Sequence, residues 1–209
     1  MSVNLWASTQ HALDYLGRAD SIPHRVEGES TLLEFIPEQA RRILDLGTGD
    51  GRLLALVKLA HPNAIAVAID FSPAMLDAAS RRFAGDPSVE VMPHNLEDPL
   101  PQLGMFDAVV SSFAIHHLTH ERKRSLYAEI HALLNPGGVF CNLEHVASAT
   151  PQLHEEFLRH IGCTVETEDP SNKLLALETQ LQWLREIGFS DVDCHWKWRE
   201  LALLTGRRD

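Results

Sequence analysis

The chain predicts a doubly wound α/β fold: a mostly parallel sheet with helices on both faces, ending in an antiparallel pair. Three observations carry this. Short apolar or β-branched runs alternate with segments of helical spacing from about residue 41 onward. The runs are near-continuously apolar, as strands buried on both faces are. Toward the C-terminus, two extended runs are separated by only a short turn, which imposes antiparallel pairing.

The first five runs are residues 43–46, 64–69, 89–91, 106–111 and 139–143. Leu53, Leu54, Leu56, Val57 and Leu59 follow the first at helical spacing. Met75, Leu76, Ala79 and Phe83 follow the second, and Leu126, Ile130, Leu133 and Leu134 the fourth. Right-handed crossovers then wind the layers. Ser72-Pro73 predicts a helix start, with an N-cap followed by proline in the first turn, and Thr150-Pro151 repeats it ahead of Phe157, Leu158 and Ile161. Asn135-Pro136-Gly137-Gly138 predicts a helix stop and tight turn just before a strand. A last helix over 175–187 ends at Gly188, and the hairpin runs are 189–198 and 199–205. Residues 1–40 stand apart: Trp6, Leu13, Tyr15 and Leu16 sit at roughly helical spacing, and a second helix reaches Phe35. They form either two packing helices or a lid over the carboxyl edge of the sheet.

Bulk composition narrows the partners. The 209 residues carry 18 Lys+Arg against 29 Asp+Glu, a net charge of −11. That excess disfavours a nucleic-acid backbone or an anionic membrane, both of which need clustered Lys and Arg. Three widely spaced cysteines, with no CxxC pair, suggest neither a disulfide framework nor a thiolate metal site, and a reducing cytoplasmic setting is expected. No apolar run approaches the ~18 residues of a membrane span, and no basic-then-apolar leader opens the chain. Adjacent imidazoles point in different directions, so His116, His117 and His120 predict no metal.

The strongest local signal is Ile43 to Arg52, read ILDLGTGDGR, at a strand, turn and helix start. Glycines at 47, 49 and 51 make G-x-G-x-G, not the G-x-G-x-x-G of a pyrophosphate loop. Acidic Asp45 and Asp50 beside that turn suit a ligand carrying an ammonium and a sulfonium. Asp70 ends the second strand, where an acid in doubly wound folds hydrogen-bonds ribose hydroxyls. Phe71 and Met75 can flank an adenine, and Asn95 after the third strand can accept from its amino group.

These segments resemble the class I S-adenosylmethionine (SAM) dependent methyltransferases. ILDLGTGDG matches the first motif, AIDFSPAML the second, HNLEDPLP the third and FDAVVSSFAIHHL the fourth; LNPGGVF matches the turn before strand five. The match spans roughly 41–145, and DVDCHWKWRELALLTG fits the last two strands. The resemblance implies a Rossmann-like sheet in the order 3-2-1-4-5-7-6 with strand seven antiparallel. It implies one domain over 1–209: an N-terminal helical cap (1–40), a SAM-binding core (41–146), then substrate-side helices and the closing hairpin (147–209). The implied activity is methyl transfer from SAM to a small molecule, leaving S-adenosylhomocysteine. Gly47 and Gly49 would contact the methionine part, Asp70 the ribose, and Asn95 with Leu96 the adenine that Phe71 and Met75 flank; Asp45, Thr48 and Ser111 are further cofactor-binding candidates. Asn95 departs from the aspartate usual there, but its carbonyl still accepts. Arg25 is expected to meet the cofactor carboxylate or an anionic substrate.

Methyl transfer from a sulfonium needs alignment first, and a base only where the acceptor loses a proton. His117, His116 and Glu144, at the carboxyl ends of strands four and five, are the catalytic candidates. SPAML, LNPGG and LETQLQWLREIGF resemble, more distantly, the enzyme that makes carboxy-SAM. A SAM-using enzyme of that kind, or a SAM-binding sensor or partner subunit without turnover, are the rival readings; a homodimer stays open.

Overall fold

The computed structural model describes residues 22–209 together with Ser8 and Gln10. Trp6, Leu13, Tyr15 and Leu16 lie outside the described residues, so the expected lid is represented only by its second helix, α1 (Arg25–Phe35). The chain then runs β1 (Arg42–Leu46), α2 (Arg52–Ala60), β2 (Ile65–Asp70), α3 (Pro73–Arg82), β3 (Val89–Pro93) and β4 (Phe106–Ser112). A 3-10 turn (Ile115–His117) leads to α4 (His120–Leu133), β5 (Leu134–His145), α5 (Pro151–His160), α6 (Leu177–Ile187), β6 (Ser190–Trp198) and β7 (Leu201–Arg207).

The seven strands form one sheet in the order β3-β2-β1-β4-β5-β7-β6. β1 to β5 pair in parallel, while β7 runs antiparallel to both β5 and β6. This is the order the family resemblance implied. Burial explains the patterning: β4 is almost wholly buried, whereas edge strand β6 alternates between half-buried and exposed. Leu44, Val109, Phe140 and Leu204 pack on one face with Leu126 and Ile130 of α4 and Leu181 and Leu184 of α6. Ile43, Ala66, Val110 and Cys141 pack on the other with Leu53, Leu54 and Val57 of α2 and Leu32 of α1.

Three local expectations are corrected. The Asn135–Gly138 turn is not outside the fifth strand but a bulge within it: pairing steps from Phe106 with Leu134 directly to Ala108 with Val139. Gly137 N–H donates to Arg208 O at 2.6 Å, which holds the extra residues against the sheet edge. The second hairpin run starts at Leu201, because Arg199, at φ 52°, makes the turn. Ser72 occupies the N-cap of α3, but its hydroxyl caps nothing; Asp70 instead accepts from Ser72 N–H at 2.9 Å. Thr150, by contrast, caps α5 by accepting from Leu153 N–H at 3.3 Å.

The carboxyl ends of β1, β2 and β4 meet at one edge, where strand order reverses between β1 and β4. That reversal opens a crevice for a ligand.

Candidate active site

A cavity of about 360 Å³ fills this crevice, a volume in the range of small-molecule sites. Its floor is the turn after β1. Gly47 and Gly49 hold φ of 65° and 57°, conformations glycine adopts without strain. At Gly47 a Cβ would overlap the Cβ of Ala114, while at Gly49 it would meet nothing closer than Met75 Sδ at 4.0 Å. Gly47 is thus a packing requirement, and Gly49 leaves open space for a ligand.

Asp45 lies under this turn, 1% exposed. Its Oδ2 accepts from Thr48 Oγ1 at 2.6 Å, and its buried Oδ1 has no hydrogen-bond partner. Burial, opposed by the Thr48 bond and reinforced by Asp70 and Asp50, pushes its pKa up to about 7. Asp70 closes β2 and accepts from Gly49 N–H (Oδ2) and Ser72 N–H (Oδ1), both at 2.9 Å. Burial raises its pKa against those bonds. One acid steadies the glycine turn, and the other carries an unanswered acceptor beside it. An adenosine with a cationic tail fits this donor and acceptor set.

Most of the site residues expected from sequence converge on the cavity wall: Arg25, Asp45, Gly47, Thr48, Gly49, Asp70, Phe71, Met75, Asn95, Leu96 and His117. Asn95 Oδ1 accepts from Glu97 N–H at 3.1 Å, which shapes the loop after β3, and Leu96 O accepts from Arg122 Nε at 2.6 Å. Arg25 reaches the cavity from α1. Its Nε donates to Glu29 at 2.7 Å, and its guanidinium carbon sits 5.5 Å from the Phe113 ring centroid. Glu29 also accepts from Arg52, so one buried acid joins two guanidiniums.

Three expected residues are not on the wall. Ser111 is fully buried and donates to Leu46 O at 2.9 Å, pinning β4 to β1. His116 and Glu144 form a pair behind the wall, Nδ1 to Oε1 2.8 Å, with Glu144 fully buried. Burial raises the Glu144 carboxyl and holds His116 well below its usual range. Asn142 Nδ2 (3.4 Å) and His145 N–H (2.9 Å) also donate to Glu144, so both of its oxygens are engaged within the protein.

The far wall comes from the part of the chain expected on the substrate side (147–209), but its residues were not assigned to the site. Pro170, Ser171 and Lys173 belong to the segment between α5 and α6 that crosses the cavity. Lys173 N–H donates to His116 O at 2.9 Å, and Lys123 Nζ donates to His116 O at 3.2 Å and to Lys173 O. His120 Nε2 meets Leu174 O at 3.2 Å. No local motif marks this strap, because its partners lie about fifty residues away. Phe113 was also missed as a wall residue; it holds φ 53°, a strained value for a bulky side chain.

Comparison with known proteins places this geometry. Residues 43–138 match a family model described as a methyltransferase domain. A demethylmenaquinone methyltransferase of Clavibacter sepedonicus is 30% identical over 172 residues, covering 75% of this chain and 69% of that protein. A carboxy-S-adenosyl-L-methionine synthase of Klebsiella pneumoniae is 25% identical over 200 residues, covering 83% and 80%. An O-methyltransferase family protein of Burkholderia thailandensis shares the fold with a TM-score of 0.77 at 23% identity; the match covers 98% of this chain but 61% of that one. The chain thus spans about three-fifths of that solved structure. The glycine turn, the acid ending β2 and the sheet order agree with these matches, and the chain belongs to the class I S-adenosylmethionine-dependent methyltransferases.

Proposed function

We propose that this chain transfers the methyl group of SAM to a small-molecule acceptor that enters beside His117. The observation that carries the reading is the partnerless Asp45 oxygen beneath open space at Gly49. A buried carboxylate without a counter-charge is costly, and a bound ammonium answers it.

In this reading Gly47 and Gly49 hold the methionine part, with Asp45 facing its ammonium. Asp70 accepts from the ribose hydroxyls through its remaining lone pairs. Phe71 and Met75 flank the adenine, and Asn95 takes its edge. When bound, SAM supplies a methyl already activated on sulfur, so the protein's work is alignment and exclusion of water. His117 lines the opposite wall as the base for an acceptor that must lose a proton. The net charge of −11 supports a small molecule over a nucleic acid. The free thiols Cys141, Cys163 and Cys194 support a reducing, cytoplasmic setting. Among the described residues, no helix is long and apolar enough to cross a membrane.

Calorimetric titration with SAM tests the reading: saturable binding is expected, and S-adenosylhomocysteine release follows when an acceptor panel contains the substrate. Absence of SAM binding overturns it. Carboxy-SAM formation is favoured by one observation, the match to a carboxy-SAM synthase across 80% of that enzyme's length. Against it, the cavity wall offers Arg25 and Lys173 as its cations, and both already donate to protein acceptors, Glu29 and His117 O. Mass spectrometry of nucleoside retained by the purified protein separates the two.

A further inference from the structure

We propose that Asp169 and Ser171 are positioning residues that hold His117 as the Nδ1–H tautomer, leaving Nε2 as its proton-accepting nitrogen. The inference deepens the methyl-transfer reading by assigning the device that sets its base. It rests on two short contacts that share one hydroxyl.

Ser171 Oγ lies 2.7 Å from Asp169 Oδ1 and 2.9 Å from His117 Nδ1. A serine hydroxyl has one hydrogen and two acceptor lone pairs. Asp169 can only accept, and a charge-assisted bond to a carboxylate is stronger than one to a neutral ring nitrogen. The hydroxyl hydrogen therefore points to Asp169, and Ser171 Oγ accepts from His117 Nδ1–H. Ser171 N–H also donates to Asp169 Oδ1 at 2.8 Å, closing a turn that fixes the oxygen's position.

The strap is anchored for this purpose. Lys173 binds the backbone oxygen of His117, and its own N–H binds that of His116, so ring and hydroxyl are registered on the same two residues. Facing His117 are the His116 ring, its centroid 4.0 Å away, with Lys173, Asp169 and Glu144. Burial, then His116, holds the imidazole well below its usual range against the pull of Asp169 and Glu144. A neutral ring has one bare nitrogen, and the strap decides which.

Nε2 is itself buried in the ligand-free chain, and an acceptor whose O–H or N–H proton must leave has to displace its cover to reach it. That proton passes to His117 Nε2 as the acceptor atom bonds the methyl carbon. The S–C bond breaks with its electron pair kept by sulfur, and the positive charge moves from sulfur to imidazolium.

Long-range 1H–15N spectra of the 15N-histidine-labelled protein at neutral pH read the tautomer directly, with His117→Gln identifying the peaks. We expect the proton on Nδ1 in the natural chain, inversion toward Nε2–H in Ser171→Ala, and restoration in Ser171→Thr. Asp169→Ala frees the hydroxyl to donate to Nδ1 and should shift the proton to Nε2. An Nε2–H ring in the natural chain, or an unchanged tautomer in a folded Ser171→Ala protein, overturns the proposal. Failure of SAM to bind the natural chain would remove the methyl-transfer reading and leave the tautomer result standing.

Discussion

The two ends of the cavity are built from contacts of very different reach. At the glycine end two of the decisive bonds are local, Thr48 to Asp45 over three residues and Ser72 to Asp70 over two, and the third, Gly49 to Asp70, reaches only 21. At the His117 end they are remote. Ser171 lies 54 residues from His117, Lys173 56 from the His117 carbonyl it binds, and Lys123 50 from Lys173. Short loops close at little entropic cost and leave a contiguous motif, whereas the remote contacts exist only once folding has carried the segment between α5 and α6 back over the end of β4. The glycine end is therefore a standard fixture, and the strap end is where this chain becomes particular.

The comparison can be broken most sharply where the ends touch, at Gly47 against Ala114. Gly47→Ala should destabilise the fold by on the order of 3 kcal/mol, combining left-handed strain with a steric overlap. Thermal unfolding checks this, and a variant within about 0.5 kcal/mol would show that the ends are not rigidly abutted. Next, Asp70→Ala should weaken SAM binding by about 2–4 kcal/mol by calorimetry, through lost charge-assisted bonds and a freed Gly49 N–H. Unchanged affinity would place the ribose elsewhere.

A pH series sharpens the glycine end alone. With the Asp45 pKa near 7, the ionised form that attracts a cation is lost as pH falls through that value. SAM should bind about tenfold more weakly at about pH 6 than at about pH 8, and Asp45→Asn should flatten the profile. The sign for the ligand-free protein is opposite to that of a paired acid. A carboxyl raised from 3.8 favours the protonated fold, so its contribution to stability falls as pH rises from about 4 to about 7. The smallest effect belongs to the strap: Lys123→Met removes its ties to His116 O and Lys173 O. Hydrogen exchange over 169–175 should quicken while SAM affinity stays within about twofold. A larger loss of affinity would mean that the two ends are coupled.

Legibility divided along the same line. The strand runs, the glycine turn and Asp70 could be read because each is set by a local period or a backbone requirement. Glu144 and His116, catalytic candidates by strand position, lie off the cavity wall, because strand position does not reveal which side chains neighbouring segments will cover. Here Asn142 and the first turn of α4, through Lys123, enclose them. Ser72 stands at the N-cap position as read, but its hydroxyl makes no capping bond, and its own N–H is the one that Asp70 takes.

By itself, then, the amino-acid sequence determined the layer architecture, the antiparallel closure and the acid-and-glycine floor of the cavity, because hydrophobic period and glycine conformation are properties of neighbouring residues. Only the tertiary structure decided that His117 and not His116 lines the cavity, that Glu144 is enclosed, and that a strap from beyond α5 brings the Ser171 hydroxyl to His117. Those outcomes depend on which distant segments share a sheet edge, and no short stretch of chain contains that information.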